Sequence, residues 1–384
     1  MRREARRETV LPDLDEPSSR RPKRVAVIHN IDFEGQGTPT SGPGLFSLAA
    51  DAEVARTARH IADMLEDAGL ETVLLQVNDS LAGLLPRLRE ERIDVVFNLV
   101  ETLGGEAARE AELPMMLEAA GIPFTGNGAA ALQLAHAKDR SKQLLAAHRL
   151  PTPRGICVRS PRDLPRDAAG LPPFPLFIKP ARVDASIGIG QQSLVRDRDE
   201  LKRQATWLHR HVPGPMLIEE YLPGPEINVA IFPNPFTGRA VPTIIDFSAC
   251  PPELVPIVTY DCKWLPESPE YAARSTPCVD QLAPELRRDV LRIARAAFLV
   301  VGGASYGRVD LRLDRDGRPK IMDINPNPDL DHEAGLSVAA NSVGLDYQTL
   351  LLQITDDALR KQADVSASYL AKRSRAFGRF AAAY

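Results

Sequence analysis

"YGRVDLRLDRDGRPKIMDINPNP", residues 306–328, is the stretch that decides the fold. Asp316-Gly317 supplies turn chemistry between two runs of alternating character, which predicts an antiparallel hairpin. Alternation places Tyr306, Arg308, Asp310 and Arg312 on one face of the first strand and Gly307, Val309, Leu311 and Leu313 on the other. In the second strand Ile321, Asp323 and Asn325 share a face, with Met322 and Ile324 opposite. A turn centred on Asp316-Gly317 sets Asp310 beside Asp323. Two carboxylates on adjacent strands repel unless something positive lies between them. Oxygen ligands of this type suit magnesium, which shares its ligands with water and phosphate. A salt-bridge ladder with Arg308 and Arg312 is the other reading of the hairpin taken alone. Pro326 and Pro328 then stop the strand.

Upstream of the hairpin, "PELRRDVLRIARAAFLVVG" (284–302) is an amphipathic helix. Before it lie short strands in "PLFIKPA", "MLIEEYL", "INVAIFP" and "VPTIIDF", an α+β texture. The first part of the chain reads differently. "KRVAVIHN" (23–30), "ETVLLQV" and "DVVFNLV" are apolar runs rich in β-branched residues, and "DAEVARTARHIADMLEDAG" (51–69) has apolar positions at helical spacing with Gly69 as its stop. Strand and helix alternate there, which predicts a parallel sheet with helices on its faces. "AELPMMLEAAGIPFTGNG" adds a helix, a Gly stop and a short strand, and "AKDRSKQLLAAHRL" a further helix.

The chain has 384 residues, enough for two or three subdomains, with 44% apolar and 26% charged residues and a net charge of −4. That balance gives no basis for binding nucleic acid or a membrane surface, and no apolar run is long enough for a membrane span. The charged N-terminus is not a secretory signal. The four cysteines, Cys157, Cys250, Cys262 and Cys278, have no zinc spacing and read as free thiols in a reducing cytoplasm.

Further segments carry candidate chemistry. "IKPARVDASIGIG" (178–190) joins Lys179 to a small-residue loop whose backbone N–H groups can approach phosphates. "IEEYLPGPE" (218–226) sets Glu219 and Glu226 around a Pro-Gly turn, "TYDCKW" (259–264) carries Lys263, and "AKDRSK" (137–142) carries Lys138 at a helix start. In this order, together with "GRVDLRLD" and "DINPNP", these segments resemble the ATP-grasp superfamily, specifically the D-alanine–D-alanine ligase-like enzymes. The resemblance runs from about residue 23 to about 354.

The resemblance implies an ATP-grasp fold: an N-terminal parallel-sheet α/β domain and two α+β subdomains clamping ATP. The expected organisation is a disordered tail at 1–22, a substrate domain at 23–127, a central subdomain at 128–219, a C-terminal subdomain at 220–360 and a tail at 361–384. It implies a magnesium- and ATP-dependent carboxylate–amine ligase working through an acyl phosphate, with two magnesium ions that manganese can replace. By position, Lys138 and Lys179 would clamp the ATP phosphates, and Ser186, Ile187 and Gly188 would close over them. Glu219 would face the adenine amino group, Tyr221 and Leu222 would line the purine slot, and Glu226 would accept from the ribose. Lys263 would reach the phosphates from a mobile loop. Asp310, Asp323 and Asn325 would hold the metal, Arg308 would stabilise developing negative charge, and Glu53 would orient the first substrate's amino group. The implied partners are small amino-acid-like or peptide substrates. A homodimer through 46–66 and 111–121 is implied as well.

The sequence departs from the family at several positions. Asp323 replaces the usual glutamate, Asp184-Ala185-Ser186 stands for Gly-Ser-Ser, and Trp264 stands for a tyrosine. "NLVETLGGEAARE" (98–110) replaces a His-Gly loop. "DLDHEAG" (329–335) replaces a glycine and the serine-bearing segment that grips the second substrate's carboxylate. Asp329, Asp331 and Glu333 therefore suggest an acceptor other than D-alanine, one that is cationic or lacks a free carboxylate, with His332 as a candidate base. A long Gly/Pro-rich loop at 31–46 is expected to widen the substrate wall. A nucleotide binder without turnover, a genuine D-alanine–D-alanine ligase and a bicarbonate-using carboxylase are the competing functions.

Overall fold

The run Arg24–Asn30 carries apolar residues at both phases of the strand period, so it can be buried on both faces. It forms β1, the middle strand of a parallel sheet of order β2-β1-β3, with β2 at Glu71–Val77 and β3 at Val95–Leu99. Its side chains divide between two cores. Val25 and Val27 join Ala58, Ile61 and Leu65 of α1 (Pro43–Asp67), and Ala26 and Ile28 join Leu113 and Leu117 of α3 (Glu112–Ala120), which follows α2 (Leu84–Glu90). Gly69, at φ 87°, turns the chain out of α1 and donates its N–H to the Glu66 carbonyl at 2.8 Å. The short strand expected after Gly121 is only a single bridge between Val96 and Phe124, because Gly126 at φ 85° turns the backbone away.

The computed structural model describes residues 23–31, 43–167, 170–233, 240–278 and 281–362, with backbone only over 43–51. The tail expected at 1–22, nearly all of that at 361–384 and most of the loop at 31–46 lie outside the described residues. Among the described residues no helix is long and apolar enough to cross a membrane. All four cysteines are free.

After α4 (Ala129–His136) and α5 (Lys138–Ala147) comes an antiparallel sheet of order β4-β7-β5-β6. Its strands are β4 (Gly155–Val158), β5 (Leu176–Pro180), β6 (Leu194–Val195) and β7 (Met216–Glu220). Leu201, Ala205 and Leu208 of α6 (Arg198–His211) cover it, meeting Leu176, Ile178 and Ile218. The third sheet, also antiparallel, has the order β10-β9-β8-β11-β12. It contains β8 (Glu226–Ile231), β9 (Ala240–Asp246), β10 (Arg274–Pro277), β11 (Gly307–Leu313) and β12 (Pro319–Asn325). The short α7 (Tyr260–Trp264) precedes β10, and α8 (Pro284–Val300) packs across the sheet. Then come α9 (Gly335–Ser342) and a last helix over 347–362.

The deciding hairpin forms as its alternation requires. Val309, Leu311 and Leu313 pack on Val290, Ile293, Ala294 and Ala297 of α8, leaving Arg308 and Asp310 on the other face. Asp310 pairs with Asp323 and Arg308 with Asn325. One expectation fails. The register shifts between Asp310 and Leu311, so Met322 is an extra, bulged residue. Ile321 therefore joins Ile324 in the α8 core instead of sharing a face with Asp323 and Asn325.

Candidate active site

Each metal-site candidate comes from the hairpin and arrives with a partner. Both carboxylate oxygens of Asp310 accept from the Arg308 fork, at 2.6 and 2.9 Å. Asp323 Oδ2 is 3.5 Å from Lys138 Nζ. These are the cations that two side-by-side carboxylates need. Asn325 Oδ1 accepts the Asn327 N–H at 2.8 Å, an Asx turn that carries the chain past its prolines. Asn327 then reaches across to the Val100 carbonyl and Glu110, at 3.2 and 2.6 Å. Asp310, Asp323 and Asn325 thus present hard oxygens from adjacent strands, with no thiol or imidazole among them. That donor set fits magnesium.

The opposing wall supplies lysines. Lys138, which opens α5, is buried and donates to Asp184 and to the Val183 carbonyl. Burial alone would lower its pKa, but Asp323 and Asp184 outweigh that and hold it above the ordinary lysine range. Lys179 on β5 bonds to the bulged Met322 carbonyl at 3.3 Å and lies 3.5 Å from Glu219. Lys142, which our reading of the sequence missed, grips the other Glu219 oxygen at 2.7 Å and lies 3.4 Å from the Ile321 carbonyl. It stands one helical turn after Lys138 in "AKDRSK", so the i,i+4 spacing was the available signal. Burial would raise Glu219, but Lys142 and Lys179 hold it below the usual carboxylate range.

Glu226 is buried 3.6 Å from Arg312, and burial, opposed by Arg312 and aided by Asp310, pushes it up to about 7. Arg312, which the sequence reading gave only to the hairpin ladder, ties neighbouring segments together. It donates to the Gly224 and Pro256 carbonyls at 2.9 and 2.6 Å and lies 5.4 Å over the Tyr221 ring. Leu222 is buried beside it in the chain. The ladder reading is thus half realised, since Arg308 pairs with Asp310 while Arg312 leaves the hairpin for Glu226.

The segment 184–190 is tied to the segment 258–264. Ser186 Oγ donates to the Val258 carbonyl at 3.1 Å, Trp264 Nε1 to the Ala185 carbonyl at 3.0 Å, and Tyr260 N–H to the Ile189 carbonyl at 2.9 Å. Ile187 stays 42% exposed. Gly188 sits at φ 77°, where a side chain would press on Leu208, Pro180 and Val212. Lys263 lies close enough to Arg308 that desolvation first, and then that like charge, lower its pKa.

The acceptor side differs in part from the expectation. Asp331 is buried and structural, accepting from Thr57 at 3.2 Å and from the Glu333 N–H at 2.9 Å. Glu333 is exposed, and the His332 ring stacks edge-on against His60 at 5.1 Å. The acids that lie close enough to act on one another are Glu53, Glu101 and Asp329. Desolvation, then Asp329 and Glu53, push Glu101 up to about 8 even though part of its side chain is open to water. Glu53, 3.5 Å from Arg56, is raised by burial and by Asp329.

Comparison with known proteins places this geometry. Residues 157–356 match the family model described as the D-ala D-ala ligase C-terminus. A D-alanine–D-alanine ligase of Stutzerimonas stutzeri is 32% identical over 317 residues, 81% of this chain and 91% of that one. Another, of Pseudomonas entomophila, is 30% identical over 313 residues, 81% of this chain and 90% of that one. The fold matches a D-alanine–D-alanine ligase of Bacillus anthracis, solved in complex with ATP, with a TM-score of 0.67 at 22% identity, covering 89% of this chain and 99% of that one. The hairpin, the lysine wall and these likenesses lead to one conclusion: the chain belongs to the D-alanine–D-alanine ligase family of ATP-grasp enzymes, the ATP-dependent, ADP-forming carbon–nitrogen ligases.

Proposed function

We propose that this enzyme activates a carboxylate as an acyl phosphate and passes it to an amine, making an amide and releasing ADP and phosphate. The convergence of Arg308, Asp310, Asp323 and Asn325 with Lys138, Lys142 and Lys179 in one cluster carries this reading. Lys138 and Lys179 hold the phosphates, and Ser186, Ile187 and Gly188 close over them. Glu219, Tyr221, Leu222 and Glu226 take the adenosine, and Lys263 neutralises charge from the α7 side. Asp310, Asp323 and Asn325 hold magnesium, for which manganese substitutes. When bound, that metal supplies charge neutralisation at the phosphates. Phosphoryl transfer asks the protein chiefly for positioning and electrostatics. The carboxylate oxygen bonds to the γ-phosphorus as ADP leaves. The amine nitrogen then bonds to the acyl carbon as phosphate leaves, and the proton the nitrogen sheds goes to that phosphate. Arg308 faces the oxygen that gains charge in the second step.

The relatives' names support small amino-acid substrates. Glu53 orients the first substrate's amino group. Asp329, which stands where the family has a glycine, adds an acidic side chain beside Glu53 and Glu101. That supports an acceptor that is cationic or uncharged rather than D-alanine. The four free thiols support a cytoplasmic setting. Met115, 48% exposed on α3, supports that helix as a homodimer face.

ADP release with Mg-ATP against single amino acids, amino-acid pairs and polyamines tests the reading. Release that needs one carboxylate and one amine, and that disappears in Asp310→Asn, is expected. Turnover with D-alanine alone would remove the acceptor proposal. Nucleotide binding without release on any pair would favour a binding protein.

A further inference from the structure

The loop proposed to hold a triphosphate carries a carboxylate of its own. Asp184 Oδ1 accepts from Lys138 Nζ, and its Oδ2 lies 2.9 Å from His136 Nδ1. The two bases are nearly covered, with 6% and 13% of their side chains exposed, while Asp184 keeps 45%. One carboxylate thus engages two basic groups at the mouth of the site.

The backbone beside it is strained. Ala185 and Ser186 sit at φ 56° and 58°, consecutive left-handed residues of which neither is glycine. Contacts hold them there from both sides. Asp184 ties the loop to Lys138, while Trp264 and Ser186 tie it to the segment 258–264.

We propose that Asp184 competes with a nucleotide phosphate for Lys138, so that nucleotide binds by displacing the carboxylate from that ammonium. This inference rests on the nucleotide reading above and assigns Asp184 as a determinant of nucleotide affinity. Lys138 Nζ is also 3.5 Å from Asp323, so an arriving phosphate meets two carboxylates there, and Asp184, 45% exposed against 30% for Asp323, is the one that gives way. His136 retains Asp184 after the exchange. Loss of the Lys138 tie alone relaxes the strained Ala185-Ser186 backbone, which links nucleotide entry to the Trp264 indole bonded to Ala185.

Two ideas about Asp184 predict opposite signs. A residue that orients Lys138 for phosphate would weaken nucleotide binding when lost. A residue that competes with phosphate would strengthen it. The test is the Kd of Mg-ADP by titration calorimetry on the full chain, for the wild type, Asp184→Asn and Asp184→Ser, and for Asp184→Asn combined with Lys138→Ala. We expect both single variants to bind about fivefold more tightly, about 1 kcal/mol, and the gain to vanish once Lys138 is gone. In a Trp207→Phe background, Trp264 is the sole indole. Its emission is expected to change when Mg-ADP binds the wild type, and to change less in Asp184→Asn. Equal or weaker binding in both single variants overturns the inference, as does a gain that persists without Lys138. A wild type that binds no nucleotide overturns the function proposed above as well.

Discussion

Arg308 has two nitrogen donors committed to one carboxylate, and that geometry makes its role specific to the guanidinium. Lysine keeps the charge but loses the planar fork. Arg308→Lys is therefore expected to lower kcat about 100-fold while the Kd for Mg-ADP moves less than about threefold, as for an interaction made mainly in the transition state; steady-state kinetics beside calorimetry checks this. Glu226 gives a pH signature. Its ordinary value is 4.5 and its folded value about 7, so the folded state holds a proton that the unfolded chain has lost between those values. Its contribution to stability therefore declines as pH rises through about 5 to 7 and is flat above. Glu226→Gln cannot ionise in either state, so its Tm is expected to gain on the wild type across that window. Parallel Tm curves would contradict the assignment. Lys138, Lys179 and Glu219 were readable as residues, because each stands in a short quotable segment. Their partners were not: the grip of Lys142 on Glu219 joins α5 to β7, and no local spacing reports that.

A turn centred on Asp316-Gly317 placed Asp310 beside Asp323, and the pair forms, but the pairing next to the turn, Leu313 with Pro319, would set Asp310 opposite Met322, and it is the Met322 bulge that brings Asp323 into place. Strand alternation misplaced Ile321, because a bulge adds a residue that alternation cannot foresee, and here that residue's carbonyl receives Lys179. The loop after β5 depends on a glycine in the same unforgiving way. At Gly188 the backbone is left-handed, and an added Cβ would lie 3.0 Å from both Leu208 and Pro180. Gly188→Ala is expected to cost about 1–3 kcal/mol and to raise the KM for ATP more than it lowers kcat. A denaturant melt and steady-state kinetics would show it, and an unchanged KM would separate the loop from the nucleotide.

The three sheets meet at contacts that the sequence could not announce. One core holds Val27 and Phe97 of the first sheet together with Leu330, Leu336, Leu350 and Ile354 from the far end of the chain. Asn127 is the polar counterpart. Its amide donates to the Tyr306 and Pro326 carbonyls at 2.7 and 2.6 Å and accepts the Ala304 and Ser305 N–H groups at 2.8 and 3.0 Å. It thereby sets where β11 starts and where β12 ends, which aims Arg308 and Asn325. Asn127→Ala strands buried partners, so a loss of about 3 kcal/mol is expected, read as a fall of several degrees in Tm together with a lower kcat. The family was legible because its motifs are local and ordered along the chain; the joins are not, because they pair residues nearly 200 positions apart. All of these parts serve one chemical claim, that a carboxylate is activated by ATP before an amine attacks. The direct measurement is to supply the carboxylate substrate labelled with ¹⁸O, together with Mg-ATP and the amine, and to weigh the released phosphate. An acyl phosphate transfers one labelled oxygen to phosphate. Unlabelled phosphate, with all of the label kept in the organic product, would contradict the account.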